Sequence, residues 1–360
     1  MKLTLQEAQA LPKVISHEHL DCSLRPWRIL ELGTKLGTNI PSRFTTAWKA
    51  AGNDYAAQMR VAQAYQDSVS EFASKSLANY LDAIIKHVLP VMQTQENLYL
   101  ITKERIEDAV ADGIIAMKLR FAPQYHRQQG LTLQQVVDPV AQAVSEAPFP
   151  VRLVVCSLRH ENGRLGWHLA NLTLKNKLTT TYDLAADEEA IPGVLLWWMR
   201  QAKRVSAAGK QVTCHIGEAV AITNEDHRRL DEAGCTELGH AIKGDPRDKL
   251  CTVCVTSNII THQVPNAASH PIDAMYRAGR KVTIDTDGTL FTKCTASSEY
   301  KLLADTFNWG FEHFLRCNMN ALDHFPADEF EREQVRQRLL AAYCPRDSAD
   351  VLALSRHPKR

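Results

Sequence analysis

Six residues of this chain have the types and spacing that hydrolytic chemistry needs: His17, His19, His215, Glu218, His240 and Asp287. His17 and His19 lie two apart, so on a strand both imidazoles project to the same side. Two imidazoles at that spacing can bind one metal ion. His215 and Asp287 would complete a nitrogen- and oxygen-rich set that suits zinc with one position open for water. Zinc lowers the pKa of that water toward neutrality and makes hydroxide available for attack. His240 would orient the hydroxide or take its proton. Glu218, if protonated, could donate to a ring nitrogen of a substrate as attack proceeds.

Each of these residues also has a plainer explanation. A lone His-x-His is a weak signal, since histidine pairs fall on strands by chance. A histidine that ends a strand, such as His240, is often only hydrogen-bonded to backbone. Asp287 suits a helix N-cap, and Glu218 suits the first turn of a helix. What outweighs these explanations is the joint order of H-x-H, H-x-x-E, H and D at four strand ends. His87, in a helical stretch, and His227, in a polar helical stretch, receive no role.

Those residues must be positioned by something, and the patterning names it. Eight apolar or β-branched runs have polar or glycine borders: 13–20, 114–120, 151–158, 179–185, 211–216, 237–240, 250–256 and 281–287. Segments of helical pattern lie between most of them, including 104–111, 132–146, 190–208 and 225–233. Gly113, Gly209 and Gly234 follow three of these as helix-ending glycines do. Alternating strands and helices predict a parallel sheet. Eight repeats favour closure into a (β/α)₈ TIM barrel, in which all strand C-termini meet at one rim. A doubly wound sheet usually has a glycine-rich first turn; here the first strand runs into His-Leu-Asp-Cys-Ser. Residues 25–112 form a mostly helical insertion after the first strand, a candidate lid, within a single unit spanning 1–360.

Composition narrows the function classes. The chain has 360 residues, 45% of them hydrophobic, and a formal net charge of +1. The absence of a basic excess argues against nucleic acid and for a small-molecule substrate. No stretch is long enough to span a bilayer, and residues 1–12 lack the pattern of a secretory signal. Nine scattered cysteines predict reduced thiols and a cytoplasmic location. Cys251 and Cys254 form a C-x-x-C in a run that reads as a strand, where positions three apart face opposite ways. They are expected to be buried structural thiols rather than a chelating pair.

The run Leu11-Pro-Lys-Val-Ile-Ser-His17-Glu-His19-Leu-Asp21 resembles the opening signature of the adenosine deaminase family. The resemblance continues through Leu119-Arg120-Phe121-Ala122-Pro123, Cys156-Ser-Leu-Arg159-His160, Asp183-Leu-Ala-Ala-Asp187-Glu188, His215-Ile-Gly-Glu218-Ala and Gly239-His240. Thr256-Ser-Asn258, His270-Pro271 and Thr286-Asp287 follow in the same order. It implies a (β/α)₈ barrel and one zinc ion per chain, held by His17, His19, His215 and Asp287. It also implies hydrolytic release of ammonia from the amino-bearing carbon of a purine. Glu218 would protonate the neighbouring ring nitrogen, His240 would assist the hydroxide, Asp21 would meet a ribose, and Ser257 and Asn258 would support the rim.

Four departures from that pattern bear on specificity. Gly288 stands where the family has a second aspartate, which hydrogen-bonds the imidazole side of the purine. Losing such a bond is worth about 1.5–3 kcal/mol, and the change is expected to free side-chain volume. Ala186 replaces a glycine whose N–H approaches the base, Cys22 replaces another glycine, and Lys118 replaces a glutamate. No zinc ligand or acid–base group is lost. The expectation is retained deamination with altered specificity: poor turnover of plain adenosine and better turnover of another purine or amino-heterocycle. Asp21, Ala186 and Gly288 are the substrate-binding candidates. Two alternatives stand beside this: an amidohydrolase acting on a non-purine ring or amide, and a non-catalytic binding scaffold.

Overall fold

The computed structural model describes residues 2–344; Met1 and 345–360, counted in the expected 1–360 unit, lie outside the described residues. Eight strands pair in parallel in chain order. They are β1 (Lys13–His19), β2 (Ile114–Phe121), β3 (Val151–Leu158), β4 (Thr179–Ala185), β5 (Gln211–Ile216), β6 (Glu237–His240), β7 (Leu250–Val253) and β8 (Val282–Ile284). The ring closes beyond the end of β8. There the His19 N–H donates to the Asp287 carbonyl at 2.6 Å, and the Asp287 N–H donates to the His17 carbonyl at 3.0 Å. This is the (β/α)₈ barrel that the sequence predicts.

The connecting helices start and stop for local reasons. Thr132 with Gln135, and Thr223 with Asp226, form reciprocal capping boxes that satisfy first-turn N–H groups. Gly234 ends its helix at φ +71°, a left-handed conformation that costs glycine nothing. The apolar faces of the helices pack on the outside of the barrel around residues such as Trp198, Leu230 and Phe314.

Strand limits agree with the apolar runs for β3 to β6 and differ for β7 and β8. β7 stops at Val253 rather than at residue 256, because Cys254 caps the short helix Val255–Ile260. An apolar run buried on all sides reads the same whether it is strand or helix. Cys251 and Cys254 are therefore on different elements, both buried free thiols. β8 stops at Ile284, and 285–287 reach the rim as a loop held to β1. The helical pattern over 190–208 is realised only as Leu196–Ala207, with a loop before it.

The insertion comprises the helices Pro26–Leu36, Ser42–Ala51, Tyr55–Ala73, Leu77–Ala83 and Gln95–Ala111, with a π-helical turn at Ile84–Val88. It is pinned to the barrel by charge and by packing. Arg105 forms a buried ion pair with Glu18 of β1, while Arg25 and Asp108, 2.7 Å apart, tie the two ends of the insertion together. Tyr65, Val69 and Tyr80 pack in one apolar cluster with Met117, Leu119, Leu290 and Phe291.

The barrel interior is polar where most cores are apolar. On β2, residues 116, 118 and 120 share the inward face. Lys118 pairs with Glu237 on β6, and Arg120 donates to Asp183 on β4 at 3.2 Å and to the Ser16 carbonyl at 2.8 Å. Lys118 and Arg120 are fully buried. A buried pair costs desolvation that its attraction only about repays, whereas removing one partner strands a charge. Lys118→Met is therefore expected to lower unfolding free energy by about 3–5 kcal/mol. Lys118→Met with Glu237→Met should recover more than half of that loss. Urea unfolding of the two variants checks this, and equal losses would refute it.

Candidate active site

The rim brings together residues that are up to 270 positions apart in sequence, as their order on the strands requires. His17 and His19 come from β1, His215 from β5, His240 from β6, and Asp287 from the loop after β8. The His19 and His215 Nε2 atoms lie 3.1 Å apart. An Asp287 oxygen lies 3.5 Å from His19 Nε2 and 3.7 Å from His17 Nε2. Ligand atoms of His17, His19 and Asp287, and of His17, His215 and His240, fall within 4.8 Å of one another. Two ligands on one tetrahedral zinc stand about 3.3 Å apart, given bond lengths near 2 Å.

Neighbouring polar groups orient the His17 and His215 rings. The Thr252 hydroxyl donates to the Leu238 carbonyl at 3.2 Å, so it accepts from His17 Nδ1–H at 2.8 Å. His17 Nε2 is left as a bare lone pair, buried and without a hydrogen-bond partner. His215 Nδ1 lies 2.9 Å from Asp183, which turns its Nε2 to the cluster. Burial, first, and the neighbouring Arg120 and imidazoles hold His17 well below the usual histidine range. Burial brings His215 down to about 4, against the pull of Asp183. Neutral imidazoles with converging lone pairs are what a divalent cation requires. The donor set and the orphaned His17 nitrogen fit such an ion.

The acid–base pair sits beside this cluster. Glu218 is buried and 3.6 Å from His240 Nε2. Burial raises its pKa to about 8, with help from the Asp287 and Glu188 carboxylates. Asn258 ties the pair together. Its Nδ2 lies 3.1 Å from His240 Nδ1 and donates to Glu218 Oε1 at 3.3 Å, while its Oδ1 lies 3.2 Å from His270 Nε2. His270 Nδ1 accepts the Ile272 N–H, so its Nε2 carries the proton and the Asn258 amide can face only one way. His240 Nδ1 is then an acceptor and its Nε2 the donor. Ser257, also expected to support the rim, donates to Asp287 at 2.5 Å.

Several residues that received no role from sequence prove central to this geometry. Glu188 is buried and accepts four successive N–H groups, from Gly217, Glu218, Ala219 and Val220, at 2.8–3.2 Å. It holds the loop that carries Glu218. Arg159 donates to the carbonyls of His215, Ile191 and Gly193. Asp183 lies in a run that resembles the family, and its place on the strand before His215 was the available signal. Nothing in the sequence marks Thr252 as the partner of His17.

A cavity of about 270 Å³ opens onto the cluster. Asp21, Ala186 and Glu218 line it, and Leu77, Tyr80 and Ile84 of the insertion form a wall. Asp21 accepts the Ala122 N–H at 3.1 Å, and its other oxygen, buried and without a hydrogen bond, lies 3.7 Å from His19 Nδ1. Ala186 has φ +83°, a conformation that disfavours any residue with a Cβ. His240 and Asp287 share this left-handed region at φ +64° and +63°, and backbone strain of this kind collects at functional sites. Gly288 corrects the expectation of freed volume. A Cβ there would collide with the Cys22 Cβ and lie 2.6 Å from the Tyr80 hydroxyl. The space is already filled, and Cys22, a larger residue than the family's glycine, does part of the filling.

Comparison with known proteins agrees with this architecture. The family profile described as adenosine deaminase matches residues 12–342. An adenosine deaminase of Mycobacterium marinum is 30% identical over 352 residues, covering 89% of this chain and 91% of that one. An adenine deaminase of Arthrobacter aurescens superposes with a TM-score of 0.76 at 19% identity, over 92% of this chain and 98% of that one. An amidohydrolase of Burkholderia ambifaria, solved with bound zinc, gives 0.72 at 17% identity over 95% and 96%. The two solved structures speak for the fold alone, whereas the profile and the Mycobacterium relative speak for descent. The chain belongs to the adenosine deaminase family.

Proposed function

We propose that this protein is a zinc-dependent hydrolytic deaminase of a purine nucleoside or related amino-heterocycle, with a base-recognition site different from that of plain adenosine deaminases. The observation that carries this reading is the buried, unpartnered Nε2 of His17 facing His19, His215 and Asp287 beside a raised Glu218. Those four residues would hold one zinc ion. When bound, zinc supplies a water ionised at neutral pH and thereby the nucleophile.

The chain's own groups do the rest. Glu218, in its protonated form, donates to the ring nitrogen next to the amino-bearing carbon. That makes the carbon electrophilic as water oxygen adds to it. His240, its Nδ1 occupied by Asn258, directs Nε2–H toward the attacking oxygen and so orients it. Loss of the amino group as ammonia leaves a carbonyl, with the water protons shared between the ring and ammonia. Asp21 offers its second oxygen to a polar substituent of the substrate. Among the described residues, no lysine or arginine lines the cavity, while four carboxylates do. This lining favours a base or nucleoside over a nucleotide, whose phosphate needs cationic partners.

The decisive experiment is a screen of aminopurines, their nucleosides, nucleotides and other aminated heterocycles with purified protein, reading ultraviolet change and ammonia. Turnover of a non-phosphorylated purine faster than both adenosine and AMP is expected. Efficient turnover of plain adenosine would refute the altered specificity, and hydrolysis without ammonia would refute deamination. Chelation should remove one zinc per chain and all turnover, and added zinc should restore both, as followed by elemental analysis.

Glu218→Gln should bind ligand but lose about 10²–10⁴ in kcat. Because the protonated carboxyl is the active form, kcat/KM should fall as pH rises through the Glu218 pKa. A cation nearby draws that pKa down toward neutrality. An unchanged alkaline limb in the glutamine variant would assign it elsewhere. Glu188→Ala should lower kcat at least tenfold while ligand still binds, because four N–H groups lose their acceptor and the Glu218 loop drifts. Wild-type kcat in this variant would show that the loop needs no such anchor.

A further inference from the structure

The space beside Gly288 is occupied by a side chain from another part of the chain. Tyr80 lies on the insertion helix Leu77–Ala83, just before the π-helical turn. Its ring packs edge-on against Phe291 at 5.3 Å, and its body belongs to the apolar cluster between insertion and barrel. The side chain is 4% exposed, yet its hydroxyl has no hydrogen-bond partner of ordinary geometry. The Cys22 thiol beside it is a weak partner at best. A buried hydroxyl left in this state costs free energy unless a ligand answers it. The hydroxyl stands 2.6 Å from where a Cβ on Gly288 would be, and Tyr80 lines the cavity.

Topology decides which edge of a substrate it faces. Gly288 and Cys22 belong to the junction of β8 with β1, whereas Glu218 follows β5. In an eight-stranded ring β1 and β5 are opposite each other. Given the aminopurine reading above, Glu218 takes the ring nitrogen on one flank of the amino-bearing carbon. The other flank of that carbon, which carries the imidazole nitrogen of a purine, then turns toward Tyr80.

We propose that Tyr80 is a specificity-determining residue whose hydroxyl donates a hydrogen bond to the ring acceptor on the flank opposite Glu218. The group at this place is a neutral phenol. Burial keeps it protonated, so it selects a substrate with a bare acceptor nitrogen there.

The test compares wild type with Tyr80→Phe, which keeps the ring and removes only the oxygen. Two ligands are used: the best aminopurine substrate from the screen and its 7-deaza analogue, which has carbon in place of the acceptor nitrogen. The analogue is measured as a competitive inhibitor. Tyr80→Phe should raise KM for the purine about 5- to 10-fold, the worth of one neutral hydrogen bond. It should change kcat less and leave Ki for the 7-deaza analogue within twofold. That selective effect also shows the variant site to be folded. Equal weakening of both ligands, or of neither, would overturn the role of Tyr80 while leaving the deaminase reading intact. If wild type neither binds nor deaminates any aminopurine, the deaminase reading falls first and this inference with it.

Discussion

A buried imidazole nitrogen that nothing in the protein answers is the constraint around which the barrel mouth is built. Unpaired polar atoms in a protein interior are costly, and native chains retain few of them. Here the cost at His17 is imposed by design of the surroundings: Thr252 fills the opposite nitrogen, and burial forbids the charged form. At His215 the Asp183 carboxylate stands 2.9 Å from Nδ1 and leaves Nε2 facing His19. Asp183 is in turn held by Arg120, so the polar layer below the rim is continuous with the site above it. The barrel interior is charged because it serves as scaffolding for the imidazoles, not because the sequence lacked apolar residues.

Rigidity of this kind explains the distribution of strain. Ala186, His240 and Asp287 all adopt left-handed backbone at the rim. Each lies beyond the end of a strand or at its last residue, where the chain must turn and still aim a side chain or an N–H into the cavity. Neighbouring hydrogen bonds enforce the geometry: Asn258 on His240, Ser257 and the paired β1 backbone on Asp287. Glu188 does the same for the loop of Glu218 by gathering four N–H groups on one carboxylate.

Much of this was legible in the residues themselves. Eight largely apolar runs gave eight strands, since the face of each strand that packs on the helices is apolar even where the inward face carries buried charge. Polar residues at the ends of those runs marked the candidate site, because a barrel collects strand C-termini on one rim. The limits of β7 and β8 were not legible, since an apolar run does not announce where strand gives way to helix. Partners contributed from elsewhere were hidden for a different reason. Thr252, Glu188 and Tyr80 act through side chains whose neighbours are distant in sequence, and no local pattern records such a pairing.

Gly288 shows how a departure can mislead when only one position is weighed. Read alone, the loss of an acidic side chain means an emptier pocket and a missing contact. In three dimensions Cys22 and Tyr80 fill the space beside Gly288. An aspartate placed at 288 would not fit without rearrangement, because its Cβ would meet the Cys22 backbone carbonyl at 2.9 Å and the phenol at 2.6 Å. The three positions form one coupled unit, and in such a unit single substitutions do not add. The cavity wall is thus built jointly by the rim loops and by the helix laid across them.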